Sequence, residues 1–239
     1  MRIVFLPGLL CDSTVFAAQT AALAGRAEIA IADFAAAGTI EDMAKMALAS
    51  FEGPLTLIGF SMGGRAAMEA ARLAPRRVAR LCLMGTGFAA ASDVERRDRS
   101  AALDHVRREG IAALAREWAA AAVHPGRRAD RALIEPLRAM IERASTAQLA
   151  CHSDALLARP DTSTSLPGIA CPTLVIAGRQ DPWVPVEIQR ALAAAIPGAR
   201  FAPIETCGHF APMERPDEVT HTLIEWLDKA SARFQSGKR

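Results

Sequence analysis

Short apolar runs alternate along the chain with longer stretches whose apolar positions recur every three or four residues. Residues 2–6, 28–34, 54–60, 80–84, 173–177 and 200–204 are rich in branched and apolar side chains and read as six buried strands. Helical spacing follows at 14–23, with Asp12 or Ser13 as N-cap, and at 39–51, which opens on a capping-box-like Thr39-Ile40-Glu41-Asp42. Further helices are expected at 62–74, stopped by Pro75, and at 186–195 and 216–230. From Phe88 to about Arg159 the rhythm changes: no strand pattern appears, and alanine-rich charged helices such as 111–118 take over. Pro167-Gly168 marks the return. Strands alternating with helices predict a mostly parallel sheet of about six strands, covered on both faces and joined by right-handed crossovers. The expected division is a core of 1–87 and 166–239 with an inserted helical cap at 88–165.

Composition supports a single α/β core, since 51% of the 239 residues are apolar. Only the tail 234–239 reads as disordered. The balance of 28 basic and 26 acidic residues, net +2, carries no footprint for nucleic acid or an anionic membrane as partner. Five scattered cysteines (Cys11, Cys82, Cys151, Cys171, Cys207) show no paired spacing for zinc or redox work, so no metal is expected, and the thiols point to a reduced, cytoplasmic setting. Residues 3–10 before Cys11 imitate an export signal, but the single basic residue, the Pro7-Gly8 break and Leu10 argue against one. No apolar run reaches the ~20 residues of a membrane span.

The chemistry centres on Gly59-Phe60-Ser61-Met62-Gly63-Gly64, where an expected strand turns sharply into an expected helix. Glycines on either side of a serine permit the strained turn of a nucleophile elbow. A phosphate-binding reading fails because G-x-G-x-x-G and the P-loop lysine are both missing. A serine hydroxyl needs a general base, and that base needs an orienting carboxylate. His209 follows the strand at 200–204, and Asp181 follows the strand at 173–177, so both fall at the carboxyl edge of the sheet where reactive groups converge. Asp33 and Glu205 are the substitute carboxylates. The other histidines, His105, His124, His152 and His221, lie in helical or cap contexts. Oxyanion donors are expected from the backbone amides of Met62 and Leu9.

Three motifs in the order Ser, Asp, His make the chain resemble the α/β-hydrolase superfamily over almost its whole length. They are the serine turn, Gly178-Arg179-Gln180-Asp181-Pro182-Trp183-Val184-Pro185, and Gly208-His209-Phe210-Ala211-Pro212-Met213-Glu214-Arg215-Pro216. The resemblance implies Ser61 as nucleophile, His209 as base, Asp181 as acid, a small-molecule ester as substrate and no cofactor. Two departures stand out. Relatives commonly begin with a strand hairpin, whereas this sequence opens on the strand that leads into the oxyanion loop, which implies a shortened sheet. They also commonly carry His-Gly in that loop, where Pro7-Gly8 stands here.

Leu10, Phe88, Trp183 and Phe210 are candidate pocket residues, with Met62 and Trp118 as further apolar groups that serve either pocket or core. The same three polar residues also serve a lactonase, a carbon–carbon bond hydrolase, a cofactor-free perhydrolase or a ligand-binding receptor, which differ in pocket shape. A carbon–carbon hydrolase would need a polar or cationic group in the cap for its substrate's carboxylate. Cap arginines (Arg96, Arg97, Arg107, Arg108, Arg127, Arg128) offer a docking face for an acidic carrier protein, but interleaved acids such as Asp93, Asp98, Glu109 and Asp130 favour ordinary solvated helix faces. Cys207 reads as a small buried residue.

Overall fold

Six strands form one sheet: β1 (Arg2–Leu6), β2 (Glu28–Ile31), β3 (Leu55–Phe60), β4 (Val78–Met84), β5 (Thr173–Gly178) and β6 (Arg200–Ile204), in the order β2-β1-β3-β4-β5-β6. Every neighbouring pair is parallel. The structure, a computed structural model, describes residues 1–236, with side chains as far as Lys229. The tail expected to be disordered therefore lies in part outside the described residues.

Alternation along the strands divides the apolar side chains between two faces. Ile3, Phe5, Ile58, Phe60 and Met84 belong to one buried cluster, and Val4, Leu6, Leu57, Leu81 and Leu83 to the other. The second face is covered by α2 (Ile40–Ala49), α3 (Met62–Leu73) and α8 (Val186–Ala195), whose buried residues join its cluster. The first face carries α1 (Ala17–Leu23) and α10 (Pro216–Ser236). Between β4 and β5 run α4 (Asp93–Glu109), α5 (Ile111–Ala122), α6 (Arg131–Glu142) and α7 (Thr146–Leu157). Leu114, Ala119, Leu137, Met140 and Leu149 of these helices share one apolar cluster with the first face of the sheet.

The strand order fixes where the chemistry sits. The chain starts in β1, steps outward to edge strand β2, then crosses back to β3 and continues to β6. The direction of winding therefore reverses between β1 and β3, and in an open parallel sheet the crevice at the carboxyl ends of such strands is where ligands bind. The loop after β1 and the turn after β3, with Ser61, meet there.

Several elements differ from the sequence expectation, two of them for clear local reasons. The helix expected at 14–23 opens as a 3₁₀ turn, Ser13–Phe16, because the Asp12 carboxylate accepts the Thr14 amide at 2.8 Å and tightens the first turn. The strand expected at 28–34 ends at Ile31; Asp33 Oδ1 accepts the Ala35 amide at 2.9 Å and turns the chain away. A four-residue helix, α9 (Ala211–Glu214), goes unforeseen between the His209 loop and α10.

Candidate active site

Ser61 sits at the end of β3 with φ 53° and ψ −115°, outside the comfortable range of a residue with a side chain. Such a conformation costs on the order of 1–3 kcal/mol and persists only where its surroundings impose it. Here the Ser61 amide donates to the Met84 carbonyl at 2.8 Å, and the Gly64 amide donates to the Ser61 carbonyl at 3.0 Å. The turn also needs bare backbone beside it. A Cβ on Gly59 would lie 2.4 Å from the Gly63 carbonyl oxygen, and one on Gly63 only 2.0 Å from that of Leu6.

His209 Nε2 lies 3.1 Å from Ser61 Oγ, and His209 Nδ1 lies 2.9 Å from Asp181 Oδ2. Both partners of the imidazole are thus in hydrogen-bond reach, and His209 and Asp181 are only 2% and 6% exposed. Asp181 is itself held on both oxygens. Its Oδ1 accepts the Trp183 and Val184 amides at 2.9 Å each, and its Oδ2 accepts Gln189 Nε2 at 3.3 Å. Gln189, wholly buried on α8, also donates to the Val184 carbonyl at 2.8 Å and braces the same loop. The substitute carboxylates stand elsewhere: Glu205 pairs with Arg179 at 2.6 Å on the surface, and Asp33 caps its own turn.

Glu214 is a site residue whose role the sequence did not reveal. Its carboxylate is fully buried and accepts three backbone amides: His124 at 2.8 Å, Gly208 at 3.0 Å and Phe210 at 3.1 Å. Burial pushes its pKa up, and the three amides oppose that rise. Two of the three amides flank His209 in the chain, so the loop that presents His209 is fastened from both sides. The His209 amide itself donates to the Ala122 carbonyl, at the end of α5, at 2.7 Å.

The loop Pro7–Leu10 lies against the serine turn. A Cβ on Gly8 would come within 3.2 Å of Ser61 Cβ, and Leu10 adopts a positive φ of 56°. This close approach brings the Gly8 backbone beside Ser61, while Met62 opens α3 directly after it. Leu10 itself is buried in the core.

Trp183, 41% exposed, sets its ring tilted 4.9 Å from that of His209 and edge-on 5.3 Å from that of Trp118. Phe210 is buried and packs 5.3 Å from Phe60 and 6.3 Å from Trp183. Phe88 is not part of this group and packs against the cluster on the opposite face of the sheet. Trp118 also lines an open cavity of about 360 Å³ between α4 and α5, together with Asp98, His105, Leu114 and Glu117. The aromatic line from this cavity through Trp118 and Trp183 ends on the imidazole. Among the arginines of this region, Arg96, Arg107 and Arg127 pair with Asp93, Asp104 and Asp130 one helical turn away. Cys207 is fully buried, and its thiol is pushed far up by burial. Among the described residues no group of His, Cys, Asp or Glu is arranged to hold a metal ion, and no helix is long and apolar enough to cross a membrane.

A parallel α/β sheet with a strained serine at its switch point, and an aspartate and a histidine on the loops after β5 and β6, has the make-up of an α/β hydrolase. The Alpha/beta hydrolase family model matches residues 3–222, and the chain belongs to that family. It is 30% identical over 203 residues to the Pimeloyl-[acyl-carrier protein] methyl ester esterase of Aromatoleum aromaticum, covering 78% of this chain and 79% of that one. It is 28% identical over 189 residues to the 2-hydroxy-6-oxononadienedioate/2-hydroxy-6-oxononatrienedioate hydrolase of Paraburkholderia phymatum, covering 72% of this chain and 61% of that protein. In another curated relative the matched stretch is 38% of the whole length. Among solved structures, a thermophilic esterase from Thermogutta terrifontis superposes with a TM-score of 0.87 at 31% identity, covering 96% of this chain and 90% of that one.

Proposed function

We propose that the protein is a serine carboxylesterase. The observation that carries this reading is the unbroken hydrogen-bond line from Ser61 Oγ through His209 to Asp181 in a buried setting. In this reading His209 Nε2 takes the Ser61 proton as Oγ attacks the ester carbonyl. Asp181 keeps the other ring nitrogen protonated and stabilises the imidazolium. The oxyanion develops toward the amides of Met62 and Leu9, and the loss of one such donor costs roughly 3–4 kcal/mol of barrier. The imidazolium then gives its proton to the leaving alcohol, which frees an acyl-enzyme on Ser61. Water, deprotonated by His209, releases the acid and restores the serine. The esterase relatives support this choice of substrate.

Carbon–carbon bond hydrolysis on the same residues is the second reading, favoured by the likeness to the 2-hydroxy-6-oxononadienedioate hydrolase. A panel of p-nitrophenyl and alkyl esters, run beside a fluorophosphonate label, separates the outcomes. Wild-type protein is expected to take the label at Ser61 and to turn over short esters. Ser61→Ala is expected to lose on the order of 10⁶ in kcat. Near wild-type turnover by Ser61→Ala would overturn the assignment, and labelling without turnover of any ester would favour a receptor on the same scaffold.

A further inference from the structure

Two guanidinium groups meet at one backbone carbonyl, and a third is tied to them through a shared carboxylate. Arg65 Nη1 donates to the Ala89 carbonyl at 2.8 Å, and Arg159 Nε donates to the same oxygen at 3.1 Å. Arg159 also holds Glu95 with both terminal nitrogens, at 2.7 and 2.6 Å, and Arg99 holds Glu95 at 2.7 Å. One carboxylate therefore serves Arg99 and Arg159, while Arg65 makes no ion pair among the described residues. The next acid, Asp161, lies at the surface and is engaged with the backbone amide of Ser163 at 2.8 Å and with its hydroxyl. Positive charge is in surplus at Arg65. Burial, followed by the repulsion of Arg159 and Arg99, brings its pKa down to about 9, even with the attraction of Glu95 and Asp161. A cation held against such repulsion is expensive unless an anion joins it.

The position of Arg65 gives the surplus a use. It follows Ser61 by four residues, at the fourth position of α3, the helix that the serine turn opens. Its Nη2 lies 3.1 Å from where a Cβ on Gly87 would stand, a spot also bordered by Ile188 Cγ2 and Val184 Cγ1. Val184 is the residue whose amide holds Asp181. The guanidinium thus stands between the helix of the nucleophile and the loop of the orienting acid.

We propose that Arg65, backed by Arg159 and Arg99, forms an anion subsite that receives a free carboxylate on the substrate, so that the substrate is an ester bearing a second, ionised carboxyl group. The proposal rests on the reading of Ser61 as the esterase nucleophile. The planar fork of arginine matches a carboxylate in two parallel hydrogen bonds, which a lysine cannot reproduce.

The test compares matched esters. Mono-p-nitrophenyl glutarate is set against p-nitrophenyl pentanoate for a carboxylate on the acyl side, and 4-carboxyphenyl butyrate against phenyl butyrate for one on the alcohol side. Wild-type enzyme is expected to favour one charged member over its neutral partner in kcat/KM by roughly 10- to 100-fold, mainly through KM. Arg65→Gln is expected to bring that ratio close to one, and Arg65→Lys to restore only part of it. A ratio near one in wild type for both pairs, or an equal loss on charged and neutral esters in Arg65→Gln, overturns the subsite. Calorimetric titration with glutarate supplies a reading independent of hydrolysis: binding abolished in Arg65→Gln supports the subsite, and binding absent in wild type or unchanged in the variant overturns it. Fluorophosphonate labelling of Ser61 in the same samples reports on the nucleophile alone, so failure of the esterase reading remains distinguishable.

Discussion

Glu214 permits a sharp test because its carboxylate does several countable things. Oε2 accepts the amides of His124 and Gly208, and Oε1 accepts that of Phe210, with no part of the residue exposed to solvent. Glu214→Leu keeps the volume close and leaves three buried donors without an acceptor. At about 1–3 kcal/mol per orphaned donor, the expected loss of stability is about 3–9 kcal/mol. Against a total of about 5–15 kcal/mol for an ordinary domain, that is a severe change. Glu214→Gln removes much less. Its carbonyl oxygen takes the place of Oε2 and keeps two of the amides, and its NH₂ group faces only Phe210, so the expected loss is about 1–3 kcal/mol. Urea denaturation followed by far-UV circular dichroism, with m-values checked for equality, measures both. If Leu costs no more than about 1 kcal/mol beyond Gln, the three amides are finding other acceptors and the role assigned to Glu214 is refuted.

Asp181→Asn probes the base. The amide NH₂ would face His209 Nδ1, where Oδ2 now lies at 2.9 Å, and would force the tautomer whose Nε2 carries a proton and cannot accept one from Ser61. A loss of roughly 10⁴ in kcat is expected at neutral pH, and a loss below tenfold would remove Asp181 from the proposed mechanism. Acid should weaken the protein through Glu95. Burial alone would raise its pKa, but the bonds from Arg159 and Arg99 outweigh it and hold it down at about 2, against an ordinary 4.5. The stabilisation is therefore complete above about pH 4.5 and is lost as pH falls toward 2. Urea midpoints taken from pH 6 to 2.5 should fall more steeply in wild type than in Glu95→Gln; parallel curves would contradict this reading.

Much of the architecture was legible because local and tertiary signals agree. Each run of branched residues became a strand in a parallel sheet, where both faces are buried and a continuous apolar run is what the environment demands. The Ser61 turn could be read from its glycines, and the structure gives the reason: backbone oxygens occupy the places where Gly59 and Gly63 would carry side chains. His209 and Asp181 were found by their place after a strand, and they meet because β5 and β6 are neighbours. Glu214 and Gln189 escaped for a common reason. Most of their partners are backbone groups, some close by in the chain, as the Phe210 amide is to Glu214, and some as distant as the His124 amide, and such contacts require no particular side chain at the other end. The cluster at Ala89 was invisible too, since Arg65, Arg99 and Arg159 are widely separated in sequence and look like three of many surface arginines.

The helical segment between β4 and β5 is tied to the chemistry unequally at its two ends. At the end of α5, the Ala122 carbonyl takes the His209 amide, the His124 amide meets Glu214, and Arg127 Nη1 donates to the Glu214 carbonyl. Gly208 is pressed so close that a Cβ there would lie 2.5 Å from the Ala122 oxygen. Residues 122–127 and the His209 loop therefore move together or not at all, because parting them would strand several buried polar groups at once. α4 is held differently. Val106 is its one fully buried apolar residue, whereas α5 buries Ala113, Leu114, Ala115, Ala119 and Ala122. Its hold on the rest of the molecule relies heavily on Glu95, gripped by Arg159 beyond the end of α7. An element with so little apolar area to expose opens at lower cost than one zipped into the core. It is also α4 that brings Glu95 and Arg99 to the cationic cluster beside Arg65, so the most easily displaced helix of the segment is the one whose position sets the charge at that site.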